Sequence, residues 1–196
     1  MRSNSHPKKE RGFALLITLV VVSIILAVGL SLLFVTTRQQ MLAVTVNESE
    51  KAFQAAQLGL ECLRYHRAQP GTAAVLMRKP AQYTGAPSLN CGGSSPVSLP
   101  QTGARVLVSG ASNGQWLYNY KYQYNVDNKC IDTSLYITDM LDATEDRTFT
   151  ITGEGLGSII CRAGTVCTAI FSAGYNRPCG QLDSIFTIQR EIATQY

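Results

Sequence analysis

The 196 residues suffice for one ordinary domain with an appendage and fall short of two full-sized domains. With 45% apolar and 15% charged side chains, the chain is neither a disordered polyampholyte nor a coiled-coil rod. The net charge of +4 is unevenly placed: residues 1–12 hold Arg2, Lys8, Lys9 and Arg11 against Glu10, and the rest carries 13 basic and 12 acidic side chains. A phosphate-binding surface concentrates its cations on the folded part, so nucleic acid is not an expected partner.

From Phe13 to Thr37 the chain reads FALLITLVVVSIILAVGLSLLFVTT, with no charge until Arg38. These 25 residues, at about 1.5 Å each, reach roughly 37 Å against a hydrocarbon core of about 30 Å, which predicts a membrane-spanning helix. A cleaved secretory signal would have an apolar core of roughly 7–15 residues and a small-x-small cleavage site. Ser31-Leu32-Leu33-Phe34 offers no such site. The short positive prefix predicts its own retention in the cytoplasm and the export of everything after Arg38. Six cysteines suit that topology, because disulfides persist on the oxidising side. The expected location is a single pass through the inner (cytoplasmic) membrane with an extracytoplasmic head.

Lys8-Lys9-Glu10-Arg11-Gly12, followed at once by Phe13 and the apolar run, resembles the class III signal of type IV pilin-like proteins. The resemblance implies that a prepilin peptidase cuts between Gly12 and Phe13 and that the new amino terminus is methylated. Residues 1–12 would be the leader and 13–37 the transmembrane or filament-core helix. Other pilin subunits and an inner-membrane assembly platform follow as partners, with the lipid bilayer holding the helix before assembly. An uncleaved single-pass anchor is the alternative. Major pilins carry Glu at the fifth position of the mature chain, which here is Ile17. A carboxylate in an apolar bundle is costly unless paired, and in the family it meets the charged amino terminus of a neighbouring subunit. Ile17 therefore points to a minor subunit that initiates, caps or decorates the filament.

The helical pattern continues past Arg38. Leu42, Val46, Phe53, Ala56, Leu60 and Leu63, completed by Ser49, form one stripe, and Val44, Leu58, Cys62 and Tyr65 a second on the opposite side. With no proline between Pro7 and Pro70, and Pro70-Gly71 read as a stop, one helix from about Phe13 to Ala68 is expected, residues 38–68 being its amphipathic extension. Cys62 needs a sulfur elsewhere, so its stripe is expected to face the protein's own head. Phe53, Ala56, Leu60 and Leu63 would then join Ile17 as the surface offered to neighbouring subunits. Burial of both stripes in one domain is the alternative. Ala52-Phe53-Gln54-Ala55-Ala56-Gln57-Leu58-Gly59-Leu60-Glu61-Cys62 resembles the AFxAAxxGLE stretch of PilX-like minor pilins, and with the Gly12–Phe13 junction the resemblance covers residues 8–63. The small residues Ala52, Ala55, Ala56 and Gly59 are expected to permit close approach between helices.

Residues 69–196 read as a β-rich head. Over Gln115–Asp127, Trp116, Tyr118, Tyr120, Tyr122, Tyr124 and Val126 alternate strictly with Leu117, Asn119, Lys121, Gln123 and Asn125, a strand with one aromatic face. Packing of that face against the long helix is the leading reading, with a carbohydrate- or base-stacking surface behind it. Shorter strands are expected at Arg105–Ser109, Ser134–Ile137, Thr148–Thr152, Val166–Ser172 and Ser184–Glu191. Ala173-Gly174-Tyr175-Asn176 followed by Ile185–Ile192 resembles the closing turn and last strand of PilX-like heads. The expected fold class is α+β and pilin-like: one long N-terminal helix, half transmembrane and half amphipathic, packed on an antiparallel sheet.

Cys62, Cys91, Cys130, Cys161, Cys167 and Cys179 are disulfide candidates. Six cysteines allow fifteen pairings among which spacing does not choose, with Cys62–Cys91 put first because it would tie the first loop to the helix. The closest spacing, Cys161-x5-Cys167, does not suit zinc, and His66 is the one exported histidine. Asp139, Asp142, Glu145 and Asp146, near Asp132, are weak calcium candidates whose spacing departs from an EF-hand loop; a solvated loop is the leading reading. Gly153-x-Gly155-x-Gly157 is read as a turn, since no helix opens after it. No Ser-His-acid or Cys-His arrangement is visible, so neither catalysis nor a cofactor is expected. A structural minor pilin leads. A type II secretion pseudopilin at the tip of a periplasmic pseudopilus and a non-polymerising membrane-anchored binding protein are the alternatives.

Overall fold

A computed structural model of the chain describes residues 11–76, 86–93, 97–98, 105–107, 116–151 and 157–196. The expectations placed on residues 1–10, on Ser109, Gln115 and Thr152 and on Gly153 and Gly155 lie outside them. The described chain divides into two compact units, one ending at Val46 and the other running Asn47–Tyr196.

The first unit is helix. Helix α1 spans Arg11–Ala68, and its part up to Val46 belongs here. Its core is rich in Val and Ile, β-branched residues that lose side-chain freedom in a helix and form poor ones in water. In hydrocarbon the balance reverses, because a helix alone satisfies every backbone polar group within one segment. Its few hydroxyls obey the same rule. Thr18 donates to Leu15 O at 2.9 Å, Ser23 to Val20 O at 2.8 Å and Thr36 to Leu32 O at 2.7 Å.

The second unit opens with the rest of α1. Ala52, Ala55, Ala56, Leu60 and Leu63 are buried along one face, at the spacing that brings residues to one side of a helix. The Pro70-Gly71 stop is corrected in part. The helix breaks at Gln69, but Pro70 opens a second helix, α2 (Pro70–Leu76), a position where its fixed φ and missing N–H are no handicap.

Among the described residues eight strands follow: β1 (Val97–Ser98), β2 (Arg105–Leu107), β3 (Trp116–Val126), β4 (Lys129–Asp139), β5 (Arg147–Thr150), β6 (Ser158–Cys161), β7 (Val166–Tyr175) and β8 (Gln189–Gln195). Four long antiparallel strands run in the order β3-β4-β7-β8, with β1 and β2 both paired to the outer edge of β3. A separate pair, β5–β6, leaves and re-enters between β4 and β7. The β3–β4 hairpin turns on Asp127 and Asn128, both at positive φ (46° and 64°), as a two-residue primed turn requires.

The expected strand boundaries are corrected in several places, and β7 runs to Tyr175 rather than Ser172. Strand β4 runs Lys129–Asp139 and is longer than Ser134–Ile137, because it buries the polar Thr133, Ser134 and Thr138 along with its apolar residues, which leaves neither an alternation nor an apolar run to mark its ends. The last strand starts at Gln189 rather than Ser184, and residues 182–188 form a loop in which Ile185 and Phe186 are exposed. Strand β6 was not foreseen: Ser158-Ile159-Ile160-Cys161 is too short for its alternation to register.

Candidate functional site

Every residue from Phe13 to Val46 is exposed, and the apolar window within this helix has a mean hydropathy of 3.0. The first unit is thus an apolar rod, long enough to cross a membrane, with no partner among the described residues of its own chain. Arg38 closes the uncharged run with its guanidinium 4.8 Å from the centre of the Phe34 ring. Ile17, one of the expected assembly residues, lies on this rod and is 45% exposed.

The other expected assembly residues divide. Phe53 is exposed, but Ala56, Leu60 and Leu63 are buried against the protein's own sheet and are not available to neighbouring subunits. The assignment of the two stripes is therefore corrected: on the second unit the Ala56–Leu63 stripe faces the head, while Leu58 and Tyr65 of the other stripe are exposed. Cys62 sits at the edge between them, half-buried, and a disulfide needs only one reachable sulfur rather than a whole face. The small residues are corrected likewise. Ala52, Ala55, Ala56 and Gly59 permit close approach of α1 to its own sheet, not to another helix. A Cβ on Gly59 would sit 2.6 Å from Ile131 Cγ2 and 2.8 Å from Thr133 Cγ2. A Cβ on Gly174 of β7 would strike the backbone of Ala52, Ala55 and Ala56. Gly174 was a missed half of this seam, and nothing in the sequence marks it except its place in Ala173-Gly174-Tyr175.

The aromatic face of β3 is core. Tyr118, Tyr120, Tyr122 and Tyr124 are buried in one cluster with Leu60, Leu63, Ile131, Leu135, Ile137 and Ile170. Tyr120 donates to Leu76 O at 2.6 Å, which fastens α2 to the sheet. Burial pushes the Tyr124 phenol well above its ordinary value. On the opposite face of the sheet, against β5–β6, Leu117, Tyr136, Met140, Phe149, Ile159 and Phe171 form a second cluster.

All six cysteines are paired: Cys62–Cys91, Cys130–Cys179 and Cys161–Cys167. The first is the pairing expected. His66, one turn beyond Cys62, has Nε2 2.9 Å from Asn90 O and lies within 4.8 Å of both sulfurs. These three groups have ligand character, but the sulfurs are bonded to each other, so the cluster serves as a brace between α1 and the Leu89–Cys91 segment. The acidic stretch does not assemble a site: Asp139, Asp142, Glu145 and Asp146 are exposed and form no converging set of three among the described residues. Two of them cap turns instead, Asp139 Oδ1 accepting from Leu141 N at 3.0 Å and Asp146 Oδ1 from Ala163 N at 2.9 Å. Gly157, at φ 64°, closes the β5–β6 connection, its carbonyl accepting from Ile151 N at 3.0 Å.

A latch at the start of the second unit was also missed. Asn176 donates from Nδ2 to Glu48 Oε2 at 3.0 Å and to Phe186 O at 3.1 Å, and its Oδ1 accepts from Ile188 N at 2.8 Å. One side chain thus fixes the loop before β8 to α1. Glu48 also pairs with Lys51 at 2.6 Å, and these two contacts, Lys51 first and Asn176 second, hold its carboxyl below the usual range. Arg190 of β8 reinforces the junction, donating to Ser49 Oγ at 2.7 Å.

Three cavities lined by described residues of the second unit bear on ligand binding. Two flank the end of β8, of about 620 Å³ beside Arg64 and Arg67 and about 460 Å³ beside Arg162 and Thr165. The third, of about 200 Å³, lies on the sheet face turned away from α1. No protein-family model matches the chain, and no curated protein or solved structure gives a significant match to it.

Proposed function

We propose that this protein is a structural minor subunit of a type IV pilus-like filament, which initiates, caps or decorates the fibre. Prepilin peptidase would release the leader by cutting between Gly12 and Phe13. The apolar helix would rest in the bilayer and then exchange lipid for the helices of other subunits. A face that is satisfied equally by acyl chains and by apolar side chains makes this exchange nearly neutral, which is what assembly and retraction require. The observation that carries the proposal is the full exposure of Phe13–Val46, a rod with no partner among the described residues that opens at a Gly-Phe junction behind a basic prefix.

The test is the intact mass and N-terminal sequence of the protein recovered from membranes and from sheared surface fibres. A chain beginning at N-methylated Phe13 and found in the fibre fraction supports the proposal. A chain that keeps Met1–Gly12 and never sediments with fibres overturns it. Position within the fibre is read from Ile17→Glu. In an initiating subunit the new carboxylate meets no amino terminus above it and lowers fibre number. In a shaft subunit it finds one, and the count holds.

A further inference from the structure

The cavity of about 460 Å³ beside Arg162 differs from its larger neighbour in what its walls have left to offer. In the 620 Å³ cavity Arg64 is paired with Glu61 at 3.1 Å, and Arg67 donates to Thr168 Oγ1 at 3.2 Å. The Arg162 side chain makes neither an ion pair nor a hydrogen bond among the described residues. Its backbone, by contrast, is fixed. The Cys161–Cys167 disulfide closes the turn between β6 and β7. Within that turn Thr165 Oγ1 donates to Arg162 O at 2.8 Å, Ala163 N to Asp146 Oδ1 at 2.9 Å and Gly164 N to Met140 O at 2.9 Å. A braced turn therefore carries a guanidinium whose donors are unspent, and such preorganisation lowers the cost of binding.

The walls around it are mostly apolar. Ile160, 61% exposed, comes from β6 and Val166 from β7, with Cys167 and the ring of Tyr196 beside them. Tyr196 is held by a pair of backbone bonds with Thr168, at 2.8 and 3.0 Å. The Gln195 amide is already committed, donating to Ile160 O and Cys167 Sγ. The described lining holds no carboxylate. Charge and polarity then select the ligand. A cation would meet the Arg162 guanidinium. A neutral apolar molecule would strip it of water without replacing the hydrogen bonds. Inorganic phosphate would gain nothing from apolar walls. A carboxylate answers the guanidinium fork with two parallel N–H···O bonds, and an apolar body attached to it covers Ile160, Val166 and the Tyr196 ring. The volume falls within the range of about 300–1,000 Å³ usual for small-molecule sites.

We propose that this cleft binds a small carboxylic acid with an apolar body, its carboxylate on Arg162 and its body against Ile160, Val166 and Tyr196. The inference does not rest on the filament reading. It is tested at neutral pH on the full chain in lipid nanodiscs, by ligand-observed saturation-transfer NMR with empty nanodiscs as the reference. The probes are phenylacetate, 4-methylpentanoate, 2-phenylethanol and 2-phenylethylammonium, with inorganic phosphate as a competitor. At least one of the two carboxylates is expected to bind, tenfold or more tightly than the alcohol and the ammonium. Its Kd should rise tenfold or more in Arg162→Gln, and likewise in Ile160→Asp, which sets a second carboxylate against the first. Both positions are exposed. Near-UV circular dichroism identical to the unmodified protein verifies each fold, and Arg162→Gln carries the test if Ile160→Asp misfolds. The proposal is overturned if neither carboxylate binds, if the alcohol or the ammonium binds as tightly, if phosphate displaces the carboxylate at equal concentration, or if the Kd is unchanged in a folded variant.

Discussion

Gly59 and Gly174 set the distance between α1 and the sheet, and they are not equivalent. The atoms that a Cβ on Gly59 would meet belong to the side chains of Ser172, Ile131 and Thr133, whereas those facing Gly174 belong to the helix backbone. At 2.6 Å from Ile131 Cγ2 and 2.8 Å from Thr133 Cγ2 the new methyl would need those side chains to move by the better part of an ångström; a helix backbone moves only by lifting off the sheet. Gly59→Ala also gains about 1 kcal/mol of helix propensity, set against an overpacking cost of roughly 1–3 kcal/mol. The expected result, read from urea midpoints of the two variants, is a modest loss for Gly59→Ala and a larger one, about 3 kcal/mol or more, for Gly174→Ala. Tyr124 behaves in the opposite sense. Its hydroxyl is buried with no hydrogen-bond partner among the described residues, so the folded state bears a desolvation cost that Phe would remove. Tyr124→Phe should leave stability unchanged or raise it by up to about 1 kcal/mol, while Tyr120→Phe, which loses the bond to Leu76 O, should cost about 1 kcal/mol. Urea midpoints check both.

Between elements, the latch of Glu48, Lys51 and Asn176 couples α1 to the loop before β8 and carries a pH signature. The folded-state pKa of Glu48 is lowered, so the latch contributes fully above the unfolded carboxylate value. Its contribution is lost as pH falls through the lower folded value. The expected outcome is a steeper fall in stability between about pH 5 and pH 3 in the unmodified protein than in Glu48→Gln. The difference should stay within roughly 1 kcal/mol, since the pair is partly solvated. Denaturant titrations at several pH values give both slopes, and equal slopes would show that Glu48 is not linked to folding. This latch was not legible in the sequence, and the reason is physical. Glu48 and Asn176 are 128 residues apart, and an isolated polar residue carries no periodicity. The elements that were legible bury a repeating pattern: α1 from its apolar run and the missing prolines, β3 from its alternating tyrosines. Which stripe of α1 faced the head was misread, because the deciding partner was Gly174, a residue whose role is to have no side chain.

At the scale of the molecule, the two units draw their stability from different sources. The second has three disulfides, closing sequence separations of 29, 49 and 6 residues, which in the chain-entropy account are worth about 3.6, 4 and 2 kcal/mol. Together they rival the whole stability of an ordinary domain, roughly 5–15 kcal/mol, so reduction should leave the head marginal. The first unit has no cysteine and, among the described residues, no tertiary partner; in lipid its helix is held by its own backbone hydrogen bonds and by the cost of exposing them to hydrocarbon. Reduction with a phosphine in nanodiscs, followed by urea, is therefore expected to separate the two. The near-UV signal of the buried tyrosines should vanish at a much lower urea concentration than in the oxidised protein. Amide hydrogens over Phe13–Thr37 should stay protected throughout. Loss of both signals at one common midpoint would show that the rod depends on the head, and would undercut any picture in which the helix trades one apolar environment for another while the head stays folded.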